Sequence, residues 1–184
     1  MVKKAIVIYN SKRGSTKQYA EWIADDLECT AVPLQNFDYG SLSQFDVVIF
    51  GGWLRGSCIV GFDKFRKHIA AHTDKLIIFV TGISEYNPQN YQQICEINFT
   101  EEINMQNTLL YFCPGKYVPS EVTGLDKFLM AVSKKVLISG ATDKESSSAA
   151  NTMVDAIVNG VDNVDRRYTE QVLRAARKKL KDES

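Results

Sequence analysis

Four short runs of uninterrupted apolar residues constrain this chain more than any other feature. They are "KAIVIY" (4–9), "DVVIFG" (46–51), "KLIIFV" (75–80) and "TLLYFC" (108–113), joined by a weaker "TAVPL" (30–34). Each strong run is rich in β-branched or aromatic residues and too short for a buried helix. A strand without polar alternation has no face to offer water. It must be covered on both sides, as the strands of a parallel sheet are. The segments between the runs keep a helical period. Residues 15–27 set Tyr19, Ala20, Ile23, Ala24 and Leu27 on one face, and 61–73 do the same with Phe62, Phe65, Ile69 and Ala70. The stretch "VDRRYTEQVLRAARKKL" places Val164, Tyr168, Val172, Leu173 and Ala176 at helical spacing, with cations in its last turns, where the helix dipole favours them.

Five strands alternating with helices imply right-handed crossovers and a doubly wound α/β sheet with helices on both faces. No repeat or linker divides the 184 residues, so 1–184 reads as a single domain. The region after the fifth run is longer than one connection needs, and an extra helix is expected over 121–137. That helix would present Val122, Leu125, Phe128, Leu129, Val132 and Val136, with Lys127, Lys134 and Lys135 interspersed. Packing on the sheet is the commoner fate of such a stripe, and peripheral contact with a membrane is the alternative. The polar stretch "SGATDKESSSAANT" (139–152) reads as a mobile surface loop.

Charge and cysteine usage narrow the function classes. Lys plus Arg and Asp plus Glu balance at 22 each, which gives no support to a nucleic-acid partner. Cys29, Cys58, Cys95 and Cys113 show no C-x-x-C or Cys/His ligand spacing, so reduced thiols in a cytoplasmic protein are expected, without a metal. The opening apolar stretch is too short for a signal peptide or a membrane span. His68 and His72 share a helix face, but no third ligand lies near them in sequence, and surface histidines are the expectation.

The loop after the first run, "NSKRGST" (10–16), is where chemistry is expected. Open α/β sheets bind ligands beyond the carboxyl ends of their strands. The hydroxyls of Ser11, Ser15 and Thr16, the glycine Gly14 and the free N–H groups of the following first turn make an anion site. Acidic side chains normally occupy such a turn, yet the first acid here is Glu21, while Lys12, Arg13 and Lys17 add positive charge. Phosphate is the natural counterpart. No G-K-[ST] and no G-x-G-x-x-G occurs, which disfavours a nucleoside triphosphate or dinucleotide and leaves a mononucleotide. A solvated loop with an ordinary serine cap is the plainer alternative.

From Val7 to Ile23 the chain resembles the flavodoxin signature: aliphatic residues into Tyr9, then Ser11, Gly14, Thr16, Ala20 and Ile23 at fixed spacing. "FDVVIFGGWLRGS" (45–57) and "FVTGISEYN" (79–87) are similar to the strands and loops that flank the flavin in that family. The resemblance implies a flavodoxin-like five-stranded parallel sheet of order 2-1-3-4-5, FMN as cofactor, and electron transfer through the bound flavin. It assigns the FMN phosphate to Ser11, Lys12, Arg13, Gly14, Ser15 and Thr16. The flavin ring falls to Gly52, Trp53, Leu54, Arg55, Thr81, Gly82, Ser84 and Tyr86, with Trp53 and Tyr86 on its two flanking loops and Arg55 as a flavin or substrate contact. Lys12 and Arg13 substitute charge where the family usually relies on hydroxyls. The order "NSKRGST", Gly51 to Arg55, "GFDKFRKH" and an extended region after the fifth strand is similar to menaquinone-dependent protoporphyrinogen oxidase and its relatives. Three functions stay open: a soluble electron carrier serving a redox partner protein, an oxidoreductase coupled to a quinone, and a flavin-free module that binds phosphate groups on a partner.

Overall fold

The computed structural model describes residues 4–83, 88–101, 103, 108–124, 127, 128, 130–132, 135 and 144–181, with the side chains of 144–150 left aside. The five apolar runs form β1 (Ala5–Asn10), β2 (Thr30–Pro33), β3 (Val47–Arg55), β5 (Leu76–Gly82) and β6 (Leu109–Pro114) of one parallel sheet, ordered β2-β1-β3-β5-β6. Counted along the chain, these sheet strands run 2-1-3-4-5, the expected order. The register is continuous: Val7 lies opposite Ala31 and Ile49, Ile49 opposite Ile77, and Ile77 opposite Leu109.

Alternate residues of each strand feed two separate cores, which is why the runs carry no polar residue beyond their first position. Ile6, Ile8, Val48, Phe50, Ile78 and Val80 pack against Phe62, Phe65 and Ile69 of α2 (Phe62–Ile69) and Ile94 and Cys95 of α3 (Pro88–Asn98). Val7, Tyr9, Val47, Ile49, Ile77 and Phe79 pack against Tyr19, Ala20, Ile23 and Ala24 of α1 (Ser15–Asp26). Val172, Leu173, Ala175 and Ala176 of the C-terminal helix cover that same face. Gly51 is a packing device, since a Cβ there would overlap the ring of Phe79 on the neighbouring strand.

Several expectations change. The stretch 139–152 is not a loop throughout: from Lys144 it belongs to α4 (Lys144–Asn159), while 139–143 lie outside the described residues. Alanine and the small polar residues there permit a helix once Ala156 and Ile157 are buried, so tertiary contact overrides weak local preference. In the expected helix 121–137, the described residues 127, 128, 130–132 and 135 are helical and Val122 is buried. Phe128 and Val132 are 63% and 43% exposed, so they do not pack on the sheet; Leu125, Leu129, Lys134 and Val136 lie outside the described residues. The final helix α5 (Glu170–Lys181) is preceded by a 3-10 turn, Arg166–Thr169. That tighter turn rotates the chain further per residue, leaving Tyr168 44% exposed and burying Thr169 instead.

Candidate functional site at the carboxyl edge of the sheet

The carboxyl ends of β1, β3 and β5 lie side by side, and the residues leaving them meet at one edge. After Asn10 the chain turns through Ser11–Gly14 into α1, and Ser11 Oγ accepts a hydrogen bond from Gly14 N at 3.2 Å. Gly14 is left-handed at φ 95°, and a Cβ added there would meet nothing within 4 Å. It starts the helix without a side-chain cap, and the first turn contains no acid. Ser15 does not cap the helix either, because its Oγ accepts from Lys116 N at 3.0 Å. The result is an open, uncapped, positive helix start.

Thr16 faces inward. It is 1% exposed, and its hydroxyl meets that of Thr81 at 2.8 Å. Both threonines were expected at the ligand; the structure joins them to each other and so fastens α1 to the end of β5. Lys12 Nζ lies 5.6 Å from the centre of the Trp53 ring, and the Arg55 guanidinium 5.0 Å from the same ring. Two cations on one indole hold their charge beside the first loop. Arg13 stands over Tyr117 at 6.0 Å.

The loop after β3 is a hairpin. Leu54 and Arg55 pair antiparallel with Ile59 and Cys58 of β4 (Cys58–Ile59), and Gly56 makes the turn at φ 57°. The space beside Gly52 is filled by Ile59, while Gly82 borders Leu54 and Phe112. Asn98 ties the hairpin to α3, accepting from Ile59 N at 2.7 Å and donating to Ser57 O at 2.7 Å. Ser84 and Tyr86 lie outside the described residues, as does Glu85. A groove of about 760 Å³ flanks the first loop on its β2 side, lined by Tyr9, Asn10, Lys12, Leu34 and Lys64 among others.

The sequence reading missed the residues that hold this edge from outside. Tyr19 donates to Pro114 O at 2.8 Å and accepts from Asp165 N at 3.1 Å. Burial pushes its phenol far above the usual tyrosine range, so it remains a donor. Lys116 and Tyr117 form β7, paired with β8 (Val161–Asp162). The Lys116–Asp162 contact raises the lysine pKa and lowers that of the aspartate. No spacing signal could reveal these partners, which lie up to 146 positions apart.

His68 is stacked on Tyr39 with ring centres 3.9 Å apart, and the described residues contain no metal-ligand cluster. The four cysteines are free thiols. Among the described residues no helix is long and apolar enough to cross a membrane.

A parallel sheet of this order with an anion-ready turn after its first strand defines a doubly wound α/β protein, a class whose ligand sites lie at the carboxyl edge of the sheet. A family model for the flavodoxin domain matches residues 6–145, and the chain belongs to that family. No curated protein matches the chain. Among solved structures, a flavodoxin from the domain Archaea is 18% identical over 85% of this chain and 97% of its own, with TM-score 0.41. The WrbA-like flavodoxin from Agrobacterium tumefaciens is 16% identical over 82% and 97%, with TM-score 0.46. Oxidised flavodoxin 2 from Bacillus cereus is 16% identical over 85% and 98%, with TM-score 0.41. The family assignment rests on the match of residues 6–145 to the family model.

Proposed function

We propose that this chain binds FMN at the carboxyl edge of its sheet and transfers electrons through the bound flavin to a redox partner protein or a quinone. It would do so as one domain, in the cytoplasm. The observation that carries the reading is the start of α1. Gly14 is left-handed and open, no side chain caps the helix, and no acid stands in its first turn. Those are the requirements of a phosphate: aligned backbone donors, close approach and an unneutralised positive dipole. Membership of the flavodoxin family supports the same ligand.

Ser11, Lys12, Arg13, Gly14 and Ser15 would hold the phosphate, with Thr16 and Thr81 fastening the loop beneath it. Gly52, Trp53, Leu54, Arg55 and Gly82 would border the ring system, and Ser84 and Tyr86 join them on the resemblance alone. Bound FMN supplies one- and two-electron chemistry, which the protein tunes by packing and charge. Arg55, beside Trp53, brings positive charge to that border. Arg55→Ala is therefore expected to lower the flavin potential. The decisive test is the absorbance spectrum of purified protein and extraction of its chromophore. A colourless chain that takes up no added FMN would leave only a flavin-free phosphate-binding module.

A second reading, a quinone-coupled oxidoreductase similar to menaquinone-dependent protoporphyrinogen oxidase, draws on one observation. Between the last sheet strand and α5 the chain carries the helix Lys144–Asn159 and, among the described residues, helical positions at 124, 127, 128, 130–132 and 135. Anaerobic assay with protoporphyrinogen and a menaquinone analogue separates the two. Turnover favours the oxidoreductase, and reduction by a partner reductase without turnover favours the carrier.

A further inference from the structure

The first loop is gripped by a part of the chain a hundred residues away. Beyond β6, Lys116 lies opposite Asp162 and Tyr117 opposite Val161 in a two-stranded antiparallel ribbon. Lys116 Nζ and Asp162 Oδ2 close its outer side at 2.8 Å. Gly160, at φ 87°, turns the chain into this ribbon where a Cβ would come within 2.9 Å of Tyr117 O. The ribbon meets the first loop twice: Lys116 N donates to Ser15 Oγ, and the ring of Tyr117 lies beneath the Arg13 guanidinium. Tyr117 is only 5% exposed, so its ring is fixed by packing.

We propose that the β7–β8 ribbon is a brace that presets Arg13 and Ser15 for the phosphate, with Tyr117 as a positioning residue. The proposal rests on the reading of the first loop as an FMN phosphate site. An arginine in a solvated loop samples many rotamers and must surrender them when an anion binds. A guanidinium laid on a buried aromatic face keeps its charge and has already lost much of that freedom. Ser15 is preset in a second way. With Lys116 N on its oxygen, the hydroxyl makes no cap for the helix, and its O–H remains available as a donor. The brace thus leaves the helix start open while orienting the side chains around it.

The test is FMN affinity of the flavin-free protein, read by quenching of flavin fluorescence at low and high salt. The set is wild type, Tyr117→Phe, Tyr117→Leu, Arg13→Gln, Arg13→Lys and the Arg13→Gln/Tyr117→Leu pair. Tyr117→Phe keeps the ring and should bind within about twofold of wild type. Tyr117→Leu should bind about three- to tenfold more weakly with a shallower salt dependence, and add nothing further to Arg13→Gln. Independent, multiplying losses, or an unchanged Tyr117→Leu, would overturn the brace. If Tyr117→Leu fails to fold, Arg13→Lys decides, because it keeps the charge without the stacking plane. The brace expects it to lose affinity, and full affinity would overturn it. Wild type that binds no FMN removes the functional reading and the brace together, whereas binding with independent losses removes the brace alone.

Discussion

Two helices start at the same edge of this sheet from the same local device, and they end in different states. Both α1 and α2 begin at a left-handed glycine without a side-chain cap, Gly14 at φ 95° and Gly61 at φ 90°. Around Gly14 there is open space and the first turn has no acid. Around Gly61 a Cβ would overlap Asn10 Nδ2 and come within 2.9 Å of Leu34 Cδ2, and Asp63 stands in the first turn. One helix start is an open cradle with its dipole unanswered; the other is a packed joint that supplies its own negative charge. A glycine at a helix start is therefore no sign of a ligand until its surroundings are known.

The comparison can be broken most directly at the glycines. Gly61→Ala combines an unfavourable φ with an overlap, and Asn10 is not free to yield because its amide donates to Val60 O at 3.1 Å. A loss of about 2–4 kcal/mol in denaturant unfolding is expected. Gly14→Ala meets only the φ penalty, about 1–2 kcal/mol. Equal losses would refute the contrast. Next comes the bond that fastens α1. Thr81→Val leaves the buried Thr16 hydroxyl without its partner and should lower stability by about 1–3 kcal/mol. A neutral Thr81→Val would show that α1 is held by packing alone.

The charge difference between the two starts is sharpened by ligand binding. Replacing Lys12 and Arg13 together with threonine should weaken FMN binding about five- to tenfold at low salt and progressively less as salt rises, because screening removes what the substitution removes. Unchanged affinity at low salt would mean that backbone donors suffice. The smallest effect belongs to α2. Asp63→Asn removes the charge facing its dipole and should reduce stability by about 0.3–1 kcal/mol, with no change in FMN affinity. A change in affinity would place α2 in the binding site, across the groove that Lys64 and Asn10 share with the first loop.

Much of this contrast was invisible in the residues, although the scaffold was not. The runs 4–9, 46–51, 75–80 and 108–113 announced their strands because a strand buried on both faces must be apolar at every position. Helix α1 was legible because Tyr19, Ala20, Ile23 and Ala24 repeat at the helical period and are all buried. The helix over 144–159 was not, because its opening is polar and serine-rich. Glycine at 14, the lysine and arginine before it and the missing acid after it pointed to an anion, but nothing local showed that Gly14 faces open space while Gly61 is packed against Asn10 and Leu34. Thr16 and Thr81 read as ligand contacts, and the bond between their hydroxyls, across 65 positions, was not legible. Phe128 and Val132 read as core and stand exposed.

By itself, the sequence determined the alternation of strand and helix, the five-strand order through family resemblance, and the loop where positive charge gathers. The alternation and the loop follow from short-range chemistry: apolar periodicity, the freedom of glycine and the absence of an acid in one helical turn. The tertiary structure alone decided which glycine faces open space, which threonine turns inward, and that Lys116 and Tyr117 brace the first loop. Those outcomes depend on residues brought together across tens to more than a hundred positions by the closing of the sheet. No local pattern encodes them, because each is fixed only when both partners have been placed.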